Sequence, residues 1–347
     1  MGRLWAKGAL STFLLASPAF TMVLGLLVGA YRIPVADVVG VVAAEAAERL
    51  SSILGFSFSS SYPSVYETIL LRIRLPRVLL AMAVGSALAV SGAVLQAVFR
   101  NPLVDSYILG ISSGAAFGVS LAVGVFSVAE ATPFAFVFSL LAVLLTCSLA
   151  RVGGRVSPIS LVLAGIIVNA FFSSFTSLLK FLMEHEKLAS VVYWLMGSFA
   201  NADWHSVEVA LPLASAGCLL VYLMRWQLNV LSLGEEARAL GVEPGRLRLA
   251  MIAVVSLVTS SSVSFCGVIG WVGLMIPHMV RMAFGPDHRL LIPVSTAVGA
   301  SFMTLADTLA RSLASYEIPV GVLTTLLGVP FFAYLLRKTG GGWYAEG

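Results

Sequence analysis

Nine long runs without a single charged residue divide this chain, and they limit what it can fold into. They cover residues 8–31, 78–99, 106–129, 131–150, 156–179, 209–224, 249–280, 290–306 and 318–336. A helix needs about 20 mostly apolar residues to cross a bilayer. The chain of 347 residues is 59% hydrophobic and 11% charged, whereas soluble domains carry about 25% charged residues. These features predict a polytopic membrane protein and exclude a soluble enzyme, a nucleic-acid-binding protein and a disordered chain.

The number of crossings follows from the length of these runs. The run 249–280 is too long for one helix, and it contains Gly267, Gly270 and Gly273 with Pro277 beyond them. Glycines grouped in this way indicate a turn, so we expect two helices there and one in each other run. The sequence therefore predicts ten transmembrane helices in a single all-α domain that covers the whole chain.

Basic residues indicate the orientation, because cytoplasmic loops of membrane proteins carry an excess of lysine and arginine. Ten crossings place both termini on one side, and a cytoplasmic N-terminus puts most of the 21 basic residues inside. We expect both termini to be cytoplasmic and the protein to lie in the cytoplasmic (inner) membrane. The extracytoplasmic segment 32–68 has valines at helical spacing opposite charged residues, which predicts a helix on the membrane surface.

Arginines gather on the predicted outer side, where this rule does not favour them. Arg72, Arg74 and Arg77 precede the second crossing, and Arg311 follows Asp307 by four residues at the end of the ninth. One interpretation is that they reach towards lipid headgroups. The other is a docking face for an acidic extracellular protein, because guanidinium groups pair bidentately with carboxylates.

The longest cytoplasmic loop, residues 228–248, has features of two short amphipathic helices. Glu235 and Glu236 lie near a predicted helix start, and Gly241 suits the position just after a helix end. Pro244 suits the first turn of a second short helix. The pattern alone leaves two possibilities, namely helices that lie against the bilayer and helices that dock on a cytoplasmic partner.

Small and polar residues form stripes on two predicted crossings. They are Gly165, Asn169, Ser173 and Thr176 on the fifth, and Thr324, Thr325 and Gly328 on the tenth. Such stripes either pack against a neighbouring helix or line a pathway. No crossing carries the row of buried acids that a proton-coupled transporter uses, which argues against an ion-coupled secondary transporter.

The remaining short motifs do not indicate an enzyme. Gly110, Gly114 and Gly118 favour close helix packing, although 110–114 also matches the G-x-S-x-G pattern of a serine nucleophile. An intramembrane protease using Ser112 with His278 is therefore a less favoured alternative. There is no Walker A string, so the chain does not hydrolyse a nucleotide by itself. The three cysteines lack metal-ligand spacing, and we expect no metal site and no cofactor.

A series of strings, taken together and in order, resembles a known family. They occupy residues 74–77, 92–96, 100–103, 108–114, 163–169, 194–198, 228–234, 267–281, 306–311 and 317–321. From about residue 70 to the C-terminus the chain is similar to the FecCD-type permeases. These are the membrane subunits of type II ATP-binding-cassette (ABC) importers for iron–siderophores, haem and cobalamin. Trp271 departs from the family pattern, which usually has phenylalanine there.

The resemblance implies the type II ABC importer permease fold and a homodimer in the bilayer. It also implies a translocation pathway at the dimer interface, lined by the fifth and tenth helices. The polar stripes then become candidate pathway residues: Gly165, Asn169, Ser173, Thr176, Thr324, Thr325 and Gly328. Import would proceed by alternating access, with ATP hydrolysed on a separate ATPase dimer. The cargo implied is a metal chelate, with an oxyanion such as molybdate or tungstate as the alternative.

The resemblance further assigns contacts with two protein partners. The cytoplasmic loop would couple to the ATPase through Leu231, Leu233, Glu235, Glu236, Arg238, Leu240 and Gly241. On the other side, Arg74, Arg77 and Arg311 would meet acidic residues of an extracytoplasmic substrate-binding protein. No nucleic acid is expected as a partner.

Overall fold

The computed structural model describes residues 2–54, 62–128, 130–153, 155–314 and 316–339. In these ranges the chain is helical apart from loops and one short hairpin. The helices are α1 Gly2–Leu27, α2 Val35–Leu54, α3 Ser64–Glu67, α4 Leu75–Phe99, α5 Ile111–Gly124, α6 Thr132–Leu149, α7 Pro158–Leu182, α8 His185–Leu195, α9 Trp204–Leu223, α10 Arg225–Leu231, α11 Pro244–Cys266, α12 Val272–Phe284, α13 His288–Ala310 and α14 Val320–Thr339. The hairpin pairs β1 Arg151–Val152 with β2 Arg155–Val156.

Ten apolar helices correspond in order to the ten predicted crossings. Eight of them, within the residues described, are long and apolar enough to span a membrane: α1, α4, α6, α7, α9, α11, α13 and α14. The other two, α5 and α12, are apolar but shorter. The glycine-rich break is confirmed, because α11 ends at Cys266 and α12 begins at Val272. Gly267 has φ 73° there, a backbone conformation that glycine adopts without steric cost.

Helix α4 forms the centre of the bundle, and nearly all of its residues are buried. Two glycines allow neighbouring backbones to approach it closely. A Cβ on Gly92 would lie 1.7 Å from the carbonyl oxygen of Gly273 on α12, and one on Gly85 would lie 2.2 Å from that of Gly299 on α13. Close approach at small residues is a principal source of helix association in membranes.

A second group of helices, α5, α6 and α7, packs beside this centre. A Cβ on Gly114 or Gly118 would lie 2.4 Å from a backbone carbonyl oxygen of α6. The packing interpretation of these glycines is therefore confirmed. On the outer side, α2 is the helix expected within segment 32–68, and its Val38 and Val41 are buried in a small cluster with Leu70. Residues 55–61 of that segment lie outside the described residues.

The cytoplasmic loop differs from expectation at one point. Pro244 is the first residue of the long helix α11, so the prediction of a second short helix starting there is wrong. Proline suits the first turn of any helix regardless of its length, and the apolar run from residue 249 extends this one across the bilayer. The loop instead contains α10 and a 3₁₀ turn at Gly234–Leu240.

Candidate functional site: a charge cluster, an open cavity and a 3₁₀ turn

Arg77 is the centre of a charge cluster at the N-terminal end of α4, which is its predicted outer end. Its Nε lies 2.9 Å from Oδ1 of Asp307, and its Nη2 lies 2.7 Å from the same oxygen. Its Nη1 and Nη2 also donate to the two carboxylate oxygens of Glu317, over 3.1 and 2.6 Å. The side chains of Arg77 and Asp307 are only 8% and 1% exposed. We call Arg74, Arg77, Asp307, Arg311 and Glu317 the outer cluster.

The other two arginines of the outer cluster bind the end of α1. Arg74 donates to the carbonyl oxygen of Leu26 over 2.7 Å and also to that of Tyr31. Arg311 donates to the carbonyl oxygen of Gly25, and its Nε lies 3.6 Å from Asp307. The last carbonyl groups of a helix have no partner within it, so these guanidinium groups satisfy the C-terminal end of α1.

The backbone before α4 helps to aim these side chains. Residues Thr68–Arg74 form a π-helix that runs directly into α4, whose second residue is Pro76. A proline lacks the N–H that would continue an α-helical ladder, and π-helical turns are often found at functional sites. Arg72 within this turn is exposed, whereas Arg74 is buried.

The structure brings the three predicted docking arginines together and buries two of them, Arg74 and Arg77. Arg74 and Arg77 are 3% and 7% exposed, and the donors of Arg77 are already occupied by carboxylates of the same chain. The interpretation that they reach lipid headgroups is wrong for these two residues. Sequence reasoning missed the carboxylates Asp307 and Glu317. Their positions in two of the strings that carry the family resemblance, 306–311 and 317–321, were the signal that could have indicated them. Docking by Arg74, Arg77 and Arg311 stays a prediction.

The stripe on the fifth crossing, α7, is mostly packed against neighbours. A Cβ on Gly165 would lie 1.8 Å from the carbonyl oxygen of Ile108. Asn169 accepts a hydrogen bond from Ser113 over 2.8 Å and donates to the carbonyl oxygen of Tyr107 over 3.0 Å. Thr176 is buried and donates within its own helix. Ser173 alone of these four predicted residues is exposed.

The stripe on the tenth crossing, α14, likewise contains packed residues and one exposed residue. Thr324 is buried, and Gly328 lies against the indole of Trp271, 2.7 Å from where its Cβ would stand. Thr325 is exposed and lines a cavity of about 420 Å³. This cavity is open to the surface, and we call it the α14 cavity. Its lining also includes residues that the sequence did not indicate: Tyr107, Leu195, Met196, Val268, Gly270, Gly321, Val322 and Leu326. They come from four segments far apart in the chain, so no local pattern could have grouped them.

The cytoplasmic turn, Gly234–Leu240, presents an apolar edge. Leu233 and Leu240 are 48% and 53% exposed, whereas Leu231 is buried. Gly241 has φ 77° at its end, which confirms the expected capping position. The charged residues Glu235, Glu236 and Arg238 are exposed. Arg238 lies 3.4 Å from Glu235 and 3.1 Å from Glu243.

Candidate metal ligands do not gather anywhere in the part of the chain that the structure describes. No group of three or more histidine, cysteine, aspartate or glutamate side chains could hold an ion there. Cys147, Cys218 and Cys266 are free thiols.

Comparison with known proteins identifies the family of this chain. The model of the FecCD transport family matches residues 17–338. The chain belongs to the FecCD transport family. It is 44% identical over 278 residues to the cobalamin import system permease protein BtuC of Halobacterium salinarum, covering 79% of this chain and 75% of that protein. It is 42% identical over 284 residues to the molybdate import system permease protein MolB of Haemophilus influenzae. That match covers 79% of this chain and 82% of MolB.

A solved structure agrees with the fold. A metal-chelate type ABC transporter in an inward-facing conformation has a TM-score of 0.82 and 35% sequence identity to this chain. The match covers 95% of this chain and 99% of that one. The FecCD member described here is thus an all-helical, multi-pass membrane permease, as its sequence predicts.

Proposed function

We propose that this chain is the permease subunit of an ABC importer that carries a metal chelate into the cytoplasm. The observation that supports this most strongly is the match to a metal-chelate type ABC transporter along 95% of the chain. The chelate would be of the iron–siderophore, haem or cobalamin class. The permease supplies different contacts in two conformations, and ATP hydrolysis takes place on a separate subunit.

The partners in this proposal are a second copy of the chain, an ATPase dimer and a binding protein. Large apolar side chains on the exposed faces of α7 and α14, such as Phe171, Phe181 and Leu326, are 53%, 84% and 63% exposed. We assign part of this surface to a homodimer interface and the rest to lipid. The apolar edge of the cytoplasmic turn is assigned to the ATPase, and the outer side to the binding protein.

A molybdate-type oxyanion is the second candidate cargo, because MolB is 42% identical to this chain. The α14 cavity favours a chelate. Its known lining, apart from Tyr107 and Thr325, consists of aliphatic, thioether and glycine residues, and it includes no arginine or lysine that would pair with a compact dianion. A bulky chelate is instead recognised largely by shape and apolar contact.

The test is stimulation of ATP hydrolysis in the reconstituted complex of permease, ATPase and binding protein. The binding protein is loaded in turn with a ferric siderophore, haem, cobalamin or molybdate. We expect one of the three chelates to stimulate hydrolysis above the unloaded protein, and molybdate to have no effect. If molybdate alone stimulates ATP hydrolysis, the proposed cargo is an oxyanion instead of a chelate. No stimulation by any binding protein would contradict the importer assignment.

A further inference from the structure

Glu317 connects the beginning of α14 to the centre of the bundle. It lies three residues before Val320, where α14 begins. Its carboxylate accepts two hydrogen bonds from Arg77 on α4, and a third from the hydroxyl of Ser198, between α8 and α9, over 3.3 Å. The start of α14 is therefore held in part by an ion pair with a helix more than 200 residues earlier in the chain, alongside the hydrogen bond that the N–H of Gly321 donates to the carbonyl oxygen of Gly197.

The two carboxylates that share Arg77 differ in their access to solvent. The Asp307 side chain is 1% exposed, whereas that of Glu317 is 27% exposed. Asp307 receives Nε and Nη2, and Glu317 receives Nη1 and Nη2. A carboxylate that arrives from outside can reach Arg77 only on the side that Glu317 occupies.

We propose that Glu317 is an internal competitor for the acidic side chain of a docking protein. The incoming carboxylate takes the place of Glu317 on Arg77 and thereby frees the start of α14. This rests on the proposed function and deepens it, because it gives docking a physical route to the pathway. The exchange replaces one carboxylate with another, so the buried guanidinium keeps a second carboxylate partner beside Asp307 and no donor is left unpaired.

The consequence for the pathway follows from what α14 carries. Gly321, Val322 and Thr325 on its first turns line the α14 cavity. A shift at the start of α14 changes the shape of that cavity directly. Docking at the outer surface would therefore act on the cavity through one ion pair and one helix end.

The first experiment measures the connection itself, with the purified permease in lipid nanodiscs. Amide hydrogen exchange is followed in residues 316–325 for the parent, Glu317→Gln and the control Glu186→Gln. Glu186 is an exposed glutamate at the start of α8. We expect exchange in this segment to be about tenfold faster in Glu317→Gln, and unchanged in the control. Equal exchange in all three proteins would overturn the proposal.

The second experiment tests whether Arg77 accepts a carboxylate from solution. Glu317→Ala leaves the open side of Arg77 vacant, and acetate serves as the probe with neutral acetamide as its control. We expect acetate to raise the Tm of Glu317→Ala but not that of the parent, where Glu317 already occupies the site. Exchange in residues 316–325 should stay fast, because acetate is not attached to α14. An equal effect of acetate on both proteins, or none on Glu317→Ala, would contradict the competitor role.

A result that contradicts the role of Glu317 is distinguishable from one that contradicts the proposed importer function. Neither readout uses ATP, an ATPase or a binding protein. An importer that transports normally but shows parental exchange in Glu317→Gln would disprove only the role of Glu317. Altered exchange in a permease whose complex never hydrolyses ATP in response to a loaded binding protein would disprove only the importer assignment.

Discussion

At the scale of single residues, the buried pair between Arg77 and Asp307 is the contact whose loss should destabilise the protein most. Removing one partner of a buried ion pair leaves an uncompensated charge and costs about 3–5 kcal/mol. We therefore expect Asp307→Asn to lower the free energy of unfolding by about that amount, as measured by denaturant unfolding in detergent. The control is Glu243→Gln, because the Arg238–Glu243 pair is 52% and 50% exposed and exposed pairs contribute about 0–1 kcal/mol. Equal losses in both variants would contradict this ranking.

Asp105 predicts a pH dependence of stability. Burial raises its pKa to about 6, although the backbone N–H of Tyr107, which donates to its carboxylate, acts in the opposite direction. The folded protein then binds this proton more tightly than the unfolded chain, so stability falls as pH rises from about 4 to 6. In Asp105→Asn the side chain keeps an oxygen acceptor and does not titrate. We expect unfolding of this variant to depend less on pH in that range, and an unaltered pH profile would contradict the assignment.

The sequence predicts the three docking arginines as a group, but it does not predict that Arg74 and Arg77 are buried. Whether an arginine at a helix end is exposed depends on the partner it meets in the fold. The partners of Arg77 lie 230 and 240 residues away. Charge patterns along a chain contain no information on which distant acid will pair with which base. Tyr107 and Met196 could not be placed beside Thr325 in advance either, because the three residues belong to segments far apart in the chain.

At the scale of elements, the cytoplasmic turn should be the contact with the ATPase. Leu233→Asp and Leu240→Asp each place a charge on its exposed apolar edge. We expect both to lose association with the ATPase in co-purification while the permease itself stays folded, because neither side chain is buried. Leu233→Met keeps the apolar surface and serves as the matched control. Normal assembly of both aspartate variants would show that the turn is not the coupling element.

The contact between α4 and α12 depends on Gly92. A methyl group there would lie 1.7 Å from the Gly273 carbonyl oxygen, so the two helices would have to separate. Added volume at a tight contact typically costs roughly 1–3 kcal/mol, occasionally more. We expect Gly92→Ala to lower the Tm clearly. Gly8→Ala, where nothing lies within 4 Å of the added carbon, should leave it close to the parent value, and equal Tm values would contradict the packing.

Helices and their breaks could be predicted where a single sequence signal, either an apolar run or a group of glycines, determined them. The apolar runs predict the ten helices in order, and the glycines predict the break after Cys266. The prediction failed at Pro244, where the signal for a helix start is the same for a short helix and a long one. It also misses the 3₁₀ turn at Ser106–Leu109, which lies inside an apolar run and delays the start of α5 to Ile111. Hydropathy alone does not distinguish such a turn from a helix.

At the scale of the whole molecule, α14 lies at the edge of the bundle, where few helices hold it. It packs against α12 and α13, and its loop is attached to α4 through Glu317. The same helix contributes Thr325 to the α14 cavity. A weakly packed helix that both lines a cavity and carries an ion pair is well placed to differ between the two conformations that the proposed function requires.

The measurement that tests the central claim most directly is uptake of the chelate into proteoliposomes that contain the permease and its ATPase. ATP is sealed inside, the binding protein is supplied outside, and ionophores collapse all ion gradients. We predict accumulation that requires both ATP and the binding protein and that persists without gradients. Uptake that continues without ATP and stops when the ion gradients are collapsed would contradict the account and identify an ion-coupled secondary transporter.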